Sequence, residues 1–345
     1  MSTSDFIYDI HLCKESEIAD VIDFLNKYWK KGHALCKSKS LLDFQHKNGD
    51  FYNFIIARNK QTNEIDGLKG FIFTSQYDPV LESEGDCWGA IWKVRTDVVN
   101  PEIKTLGLYL DEVLVDEFHP KSRCGYGLSN MAIAYFKHSK GYVSGVMNHY
   151  YLLNDSIQEY KIAFLNGRVF LKHNKNSYTI REISLDDIDE VPECNYRPKK
   201  TFTYLKKRYA QHPIYNYLFW GIYSNEKLVG LWTLRRIVVE PEGVILRIID
   251  IIGNLDKLPD LYIQLQKQLF AHSAEYIDFL NYGIAENTIL NIGFAKLDLK
   301  SDDVIIPHYF EPYEKRNVNL SFAYKSDFEY VIFKGDGDQD RPNII

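Results

Sequence analysis

YNFIIARNKQTNEIDGLKGFIFTSQY, residues 52–77, decides the fold. Two runs of Phe, Ile and Leu, each long enough for a strand, flank the polar stretch NKQTNE, so the segment reads as a β-hairpin. YNYLFWGIYSNEKLVGLWTLRRIVV, residues 215–239, repeats it. Tyr215-Asn216 echoes Tyr52-Asn53, and Gly230 echoes Gly70. Two hairpins of one design in one chain point to an internal duplication.

Working outward strengthens this reading. Ahead of the first hairpin, residues 6–13 alternate as a strand does, and residues 14–29 carry Ile18, Val21, Ile22, Leu25 and Trp29 at helical spacing. A short helix follows at 40–46. Behind it come a strand at 88–94, a helix at 105–118, a short strand at 125–128 and a helix at 130–140 closed by Gly141, then β-forming residues through Leu153. The second half repeats the order: strand 178–184, helices 185–191 and 201–211, the hairpin, strand 244–252, helix 258–272, strand 276–280 and helix 286–291. Gly293-Phe294 then echoes Gly141-Tyr142. The expected fold class is α/β (α+β), with two tandem units, each a mixed, mostly antiparallel sheet flanked by helices. The boundaries are 1–155 and 177–345 around a polar linker at 156–176. NLSFAY and YVIFK read as a closing strand pair.

Composition bounds the function. At 345 residues the chain is long enough for two cores, and 45% hydrophobic with 26% charged residues is the mix of a globular protein. A net charge of -6 argues against nucleic-acid binding, although Lys30-Lys31 and Lys206-Lys207-Arg208 leave room for a small anionic ligand. Five cysteines, at 13, 36, 87, 124 and 194, form no CxxC pair, and no HExxH is present, so neither disulfides nor a metal are expected. The start MSTSDFIYDI lacks a signal peptide's pattern and no apolar run would span a membrane, which implies a cytoplasmic protein.

The element order resembles the GCN5-related N-acetyltransferase (GNAT) fold. In that family the loop entering the helix after the central strand holds the pyrophosphate of coenzyme A on backbone amides. The matching stretch is EIKTLGLYL, residues 102–110, so the resemblance implies acetyl-CoA or another acyl-CoA bound at Thr105, Leu106 and Gly107. Thr105 replaces the family's first glycine and Glu102 its Gln or Arg. Asn130, Ala134, Tyr135 or Phe136, and Gly141-Tyr142 match the later signature, which implies Asn130 at the cofactor and Tyr135 as general acid toward the coenzyme sulfur. Tandem units are similar to peptidoglycan aminoacyltransferases of the Fem type. Over nearly the whole chain, stretches such as YWKKGHALCKSKSLLDFQH, VMNHYYLLN, AEYIDFLNYG and KGDGDQDRPN resemble proteins of lipopolysaccharide O-antigen and capsule biosynthesis clusters. That implies N-acyl transfer to a nucleotide-linked or lipid-linked amino sugar. An aminoacyl or other non-CoA donor, and a non-catalytic sugar-binding or scaffold role, stand as alternatives.

Chemistry selects further candidates. Asp278, flanked by apolar residues near a strand end, is expected to be desolvated with a raised pKa and is the first choice for the base that deprotonates the amine. Arg247 and Asp250 lie three apart on one strand, so they are expected on opposite faces, with Arg247 meeting Asp278 or an anion. Lys93 and Arg95 share a face and call for an anion or an acid between them. His33, Gln45, His46, His212, Asn281, His308 and Glu311 are candidate sugar contacts. Asp336, Asp338 and Asp340 have the rhythm of a calcium loop, but Arg341 stands where the turn glycine belongs. An ordered tail placing Asp338, Asp340 and Arg341 at the site is the competing expectation to a frayed end.

Overall fold

The computed structural model describes residues 6–166, 178–254, 258–338 and 340–342. The expected architecture of two mixed sheets flanked by helices is the one the chain adopts. The main path of the first sheet runs Tyr8–Lys14, Phe51–Asn59, Ile65–Phe73, Asp86–Val94, Ser122–Tyr126, Ser321–Ser326 and Val143–Val146. That of the second runs Tyr178–Ile183, Tyr217–Ser224, Lys227–Val239, Gly243–Gly253, Tyr276–Tyr282, Asn148–Leu153 and Ala295–Lys296.

Both quoted hairpins form, with Gly70 opposite Phe54 and Gly230 opposite Ile222. Their turns differ. Asn59 closes the first by accepting the Gln61 and Thr62 amides on its side chain, at 2.9 and 3.2 Å. The second is a two-residue turn with Asn225 and Glu226 both at positive φ, the backbone that matches strand twist.

In each sheet the fourth and fifth strands run parallel and stay in register for only three residue pairs. These are Asp86↔Ser122 to Trp88↔Cys124 in the first sheet and Leu246↔Ile277 to Ile248↔Phe279 in the second. Beyond them the strands part and leave a gap at their C-terminal ends. Helix Ile103–Phe118 covers the first sheet through Leu106, Leu110 and Leu114, one buried residue per turn, against Ile55, Ala57 and Phe71. Helices Ile18–Phe24 and Lys39–His46 pack a separate cluster on Phe54, Ile56 and Leu68.

Two expectations fail in the same way. The β-forming run after Gly141 is not one strand: it breaks at Met147, so Val143–Val146 joins the first sheet and Asn148–Leu153 the second. NLSFAY and YVIFK do not pair. Ser321–Ser326 inserts between Ser122–Tyr126 and Val143–Val146 in the first sheet, whereas Ile332–Phe333 pairs with Tyr276–Tyr282 in the second. Alternation specifies burial on both faces but not which edge is nearest. Each sheet therefore contains a strand from the other half, and a shared core joins them, including Trp88, Tyr126, Met147, Tyr204, Tyr209, Ile249 and Ile332. The expected helix at 185–191 is a single turn, Leu185–Asp187. Most of the predicted linker's second half, 167–177, lies outside the described residues; its start is held by Glu275, which accepts the amides of Lys161, Ile162 and Ala163 at 2.9, 2.9 and 2.6 Å. Among the described residues no helix is long and apolar enough to cross a membrane.

The described residues of the tail, 334–338 and 340–342, do not fray; 339 and 343–345 lie outside the described residues. Phe333 lies opposite Asn281, and the Gly335 amide donates to the Ile249 carbonyl at 2.8 Å, so the segment fills the gap in the second sheet. Each aspartate meets its own cation: Asp336 pairs with Lys200 at 2.8 Å, Asp338 with Arg341, and Asp340 with Arg235 at 3.0 Å. Carboxylates held apart in this way do not converge as calcium ligands must.

Two stability predictions follow from this packing. A Cβ at Gly335 would stand 2.2 Å from the Tyr209 hydroxyl and 3.1 Å from the Ile249 carbonyl. Gly335→Ala should therefore lower unfolding free energy by roughly 1–3 kcal/mol in a denaturant melt, and an unchanged midpoint would contradict the tail's placement. Burial, as the largest cause, pushes His33 and His212 down to about 3 and His46 to about 4. As pH falls from the ordinary histidine value near 6.5 toward 4, the unfolded chain binds protons that the fold refuses, so stability falls. His308, held well below 6.5 by burial, adds to this, and Asp336, raised to about 6 by burial, works the other way over pH 6 to 4 but is one group against four. The Tm should drop between pH 7 and 4.5, and His212→Asn should flatten the profile.

Candidate functional site

Two cavities meet where the units join. The first, of about 140 Å³, occupies the gap between Asp86–Val94 and Ser122–Tyr126. Its walls include Gly89, Trp92, Gly125, Ser129, Phe136 and Tyr142, and the tail residues Asp338 and Arg341. Because the parallel pairing stops at Trp88, backbone groups beyond it lack ladder partners across the gap. The corresponding gap in the second sheet is filled by residues 332–335. Only the first unit keeps the gap open.

A charged cluster floors this cleft. Lys69 and Arg123 both bond Asp111, and the Lys69 ammonium lies 3.9 Å from the centre of the Trp92 ring. Burial pushes the Asp111 carboxyl up, but Lys69 and Arg123 overcome it, so its pKa lies below the usual range. Burial brings Lys69 below its ordinary value. Tyr142 also lines the cleft, its hydroxyl buried and without a hydrogen-bond partner among the described residues.

The second cavity, of about 220 Å³, is polar. Arg235, Arg247, His308, Glu311, Lys334 and Asp340 line it. The Arg235 guanidinium stacks 3.3 Å from the centre of the Tyr215 ring and bonds Asp340 at 3.0 Å. Glu311 accepts the Tyr215 hydroxyl at 2.7 Å. His308 is 3% exposed, neither ring nitrogen is hydrogen-bonded among the described residues, and burial with His149 and Arg247 nearby keeps it neutral by holding its pKa well below 6.5. Trp29, 43% exposed, lines both cavities together with Gly127 and Arg341.

The structure brings some predicted residues together and scatters others. Arg247, His308, Glu311, Asp340 and Arg341 share the polar cavity, and Asp338 faces the cleft. Asp278 lies behind them, fully buried. Its carboxylate takes the Arg247 Nε at 2.8 Å and is approached by His149 Nε2 at 3.3 Å. The expected raised pKa is corrected: burial pushes it up, but Arg247, with His149, outweighs that and lowers it. Asp250 is also buried, holding Lys200 at 2.7 Å and the Tyr209 hydroxyl at 2.7 Å, and Asn281 donates to the Ile332 carbonyl at 3.2 Å. Both brace the tail.

Other predicted contacts are architectural. His33 caps helix Ala34–Lys37, accepting the Leu35 amide, and His212 accepts the amides of Ile214 and Tyr215 at 3.2 and 2.9 Å. Gln45 and His46 are fully buried. Arg95 bonds Glu64, Asp66 and Asp97, which supplies the acid its neighbour Lys93 seemed to require from a ligand. Thr105, Leu106 and Gly107 lie inside helix Ile103–Phe118. The Thr105 amide is taken by the Glu102 carbonyl at 3.1 Å, and the Leu106 side chain is in the core. Asn130 is exposed in the first turn of its helix. Tyr135 approaches Asp111 at 3.4 Å, and the neighbouring Phe136 and Tyr142 face the cleft instead.

Sequence reasoning missed Lys69, Asp111, Arg123, Arg235 and Lys334. The available signal was a charge inside an apolar strand, as in GLKGF, TLRRIVV and VIFKG, where burial demands a partner.

No family model matches the chain, and no curated protein matches it. Among solved structures it is similar to a GCN5-related N-acetyltransferase from Anabaena variabilis ATCC 29413, at 11% identity and a TM-score of 0.51, over 91% of this chain and 72% of that one. A conserved protein of unknown function from Enterococcus faecalis V583 gives 9% identity and a TM-score of 0.50, over 92% of this chain and 72% of that one. At such identity the likeness is one of fold, and the fold is GNAT-like.

Proposed function

We propose that the protein is an N-acyltransferase that moves an acyl group from an acyl-CoA thioester to the amine of a nucleotide-linked or lipid-linked amino sugar. The carrying observation is the junction of a cleft open between parted parallel strands with a polar cavity, the two sharing Trp29, Gly127 and Arg341. A thioester supplies the electrophilic carbonyl. The unpaired strand edges along Gly89–Trp92 suit the amide-bearing arm of such a donor, and the polar cavity suits a sugar. The surface-polysaccharide setting rests on the sequence resemblance, and a cytoplasmic location on the sequence composition.

Within this reading the residues divide the work. Trp29 offers an apolar ring at the rim for a sugar face. His308, uncharged at neutral pH, offers a ring nitrogen that accepts a hydrogen bond from the attacking amine and orients its lone pair, the ammonium proton having left to water in the open cavity. The Tyr142 hydroxyl serves the leaving thiolate in place of Tyr135. Asp278 acts as a positioning residue by fixing Arg247 in the cavity wall. The consumed amide of Thr105 favours a second reading, in which the donor is a thioester or ester without the coenzyme's diphosphate.

Thermal shift with acetyl-CoA, coenzyme A and sugar nucleotides carrying an amine tests the proposal. Acetyl-CoA should raise Tm, and Ala132→Trp, which fills the cleft, should abolish that rise. With a turned-over pair in hand, His308→Leu, which removes that acceptor, should cut kcat/KM by roughly tenfold. A rise in Tm with sugar nucleotide alone would favour a binding module, and no response to any of them would sink the proposal.

A further inference from the structure

Seven Lys and Arg side chains are buried among the described residues: Lys69, Arg197, Lys200, Arg208, Arg247, Lys334 and Arg341. Six of them have acceptors. Lys69, Arg197, Lys200, Arg247 and Arg341 bond carboxylates, and Arg208 bonds the carbonyls of Gly335 and Gly337. Lys334 has neither. It is 9% exposed, no carboxylate among the described residues lies within ion-pair distance, and its ammonium is 5.8 Å from the Tyr126 ring. An unpaired buried charge is costly, and a fold that places one on a cavity wall leaves its counter-ion to come from outside.

The surroundings say what would fit. Lys334 lines the polar cavity with Arg235, Arg247 and Arg341. Asp278 holds Arg247, Asp338 holds Arg341, and Asp340 and Glu311 both lie on Arg235. The carboxylates are thus drawn to the arginines. His308 is neutral and adds no charge.

We infer that the polar cavity is a subsite for an anionic group, the oxygens of a phosphate or a carboxylate, with Lys334 as its counter-ion beside Arg247 and Arg235. The inference rests on the acyl-transfer reading only in making this anion part of the acceptor. It deepens that reading: the acceptor is acidic, either a sugar phosphate or diphosphate, or a sugar carrying a carboxylate. The backbone supports the geometry, because the Lys334 carbonyl accepts the Tyr126 hydroxyl from the first unit and the next residue is bonded to Ile249, so the lysine is fixed on both sides.

Charge linkage gives the site a signature. Burial first, then Arg247 and Arg235, bring Lys334 down to about 8, against the opposing pull of Asp340 and Asp278. A bound anion favours the ammonium, so binding takes up protons near pH 8 and weakens as pH rises above it.

The test is titration calorimetry of the full chain with inorganic pyrophosphate, inorganic phosphate and glucuronate, without any acyl donor. Wild type should bind at least one probe at pH 7, roughly tenfold more weakly at pH 9.5; the phosphates and glucuronate separate the two sources of the anion. Lys334→Met should weaken binding at least tenfold, and Lys334→Arg should retain most of it. A thermal melt of each variant shows that it is folded. No binding by wild type, or equal binding by folded Lys334→Met, overturns the subsite. Because no donor is present, the acyl-CoA thermal shift can fail while anion binding succeeds, or the reverse, and the two readings fall separately.

Discussion

The ammonium of Lys200 sits between Asp250 and Asp336, at 2.7 and 2.8 Å, with all three side chains out of water. One cation facing two carboxylates leaves an excess negative charge, which is why burial together with Asp250 raises Asp336 to about 6 despite the lysine. Asp250 also accepts the Tyr209 hydroxyl and the Ile251 amide. Asp250 belongs to the central strand of the second sheet, Lys200 to the segment before its helix, and Asp336 to the tail. A single buried contact therefore fixes three remote segments, and removing Lys200 leaves two buried carboxylates unmatched, a loss of about 3–5 kcal/mol by the usual scale.

What this cluster fixes is an asymmetry. Both sheets part after three parallel pairs, so both begin with the same opening. The tail occupies the opening in the second sheet, and its continuation crosses to the first, where Asp338 and Arg341 become cleft wall while Asp340 turns to Arg235. The two sheets are thereby made different. One retains an accessible gap, and the other supplies a rigid polar face beside it. The tail also carries Lys334 to that face, which no strand of either sheet provides.

The hairpins, the helices and their order were legible because period-2 and period-3.6 patterns are local properties of burial. Strand exchange was not. Asn148–Leu153 and Val143–Val146 are continuous in pattern, and only the three-dimensional positions of the two sheet edges assign them to different sheets. For the candidate site, residue type alone offered Asp278 as one of two partners for Arg247, and that pair forms, but it misjudged the direction of the carboxyl's pKa. Desolvation can be guessed from apolar neighbours; the opposing arginine comes from an adjacent strand whose register the sequence does not state. Arg95 shows the same limit, since two of its three carboxylates come from around the first hairpin's return strand.

The reading of KGDGDQDRPN turns on a general point about buried charge. Alternating aspartates read as hydrophilic because in isolation each prefers water, yet Asp336, Asp338 and Asp340 are among the most buried acids of the chain. Burial is possible because lysine and arginine were placed to receive them, at Lys200, Arg341 and Arg235, in positions separated by more than a hundred residues from Asp336 and Asp340. Small residues between the acids let the backbone approach closely, with Gly335 against Ile249 and Gly337 beside Trp88. The arrangement exchanges hydration for fixed ion pairs, which gains little stability but much definition of geometry, and geometry is what a wall between two cavities requires.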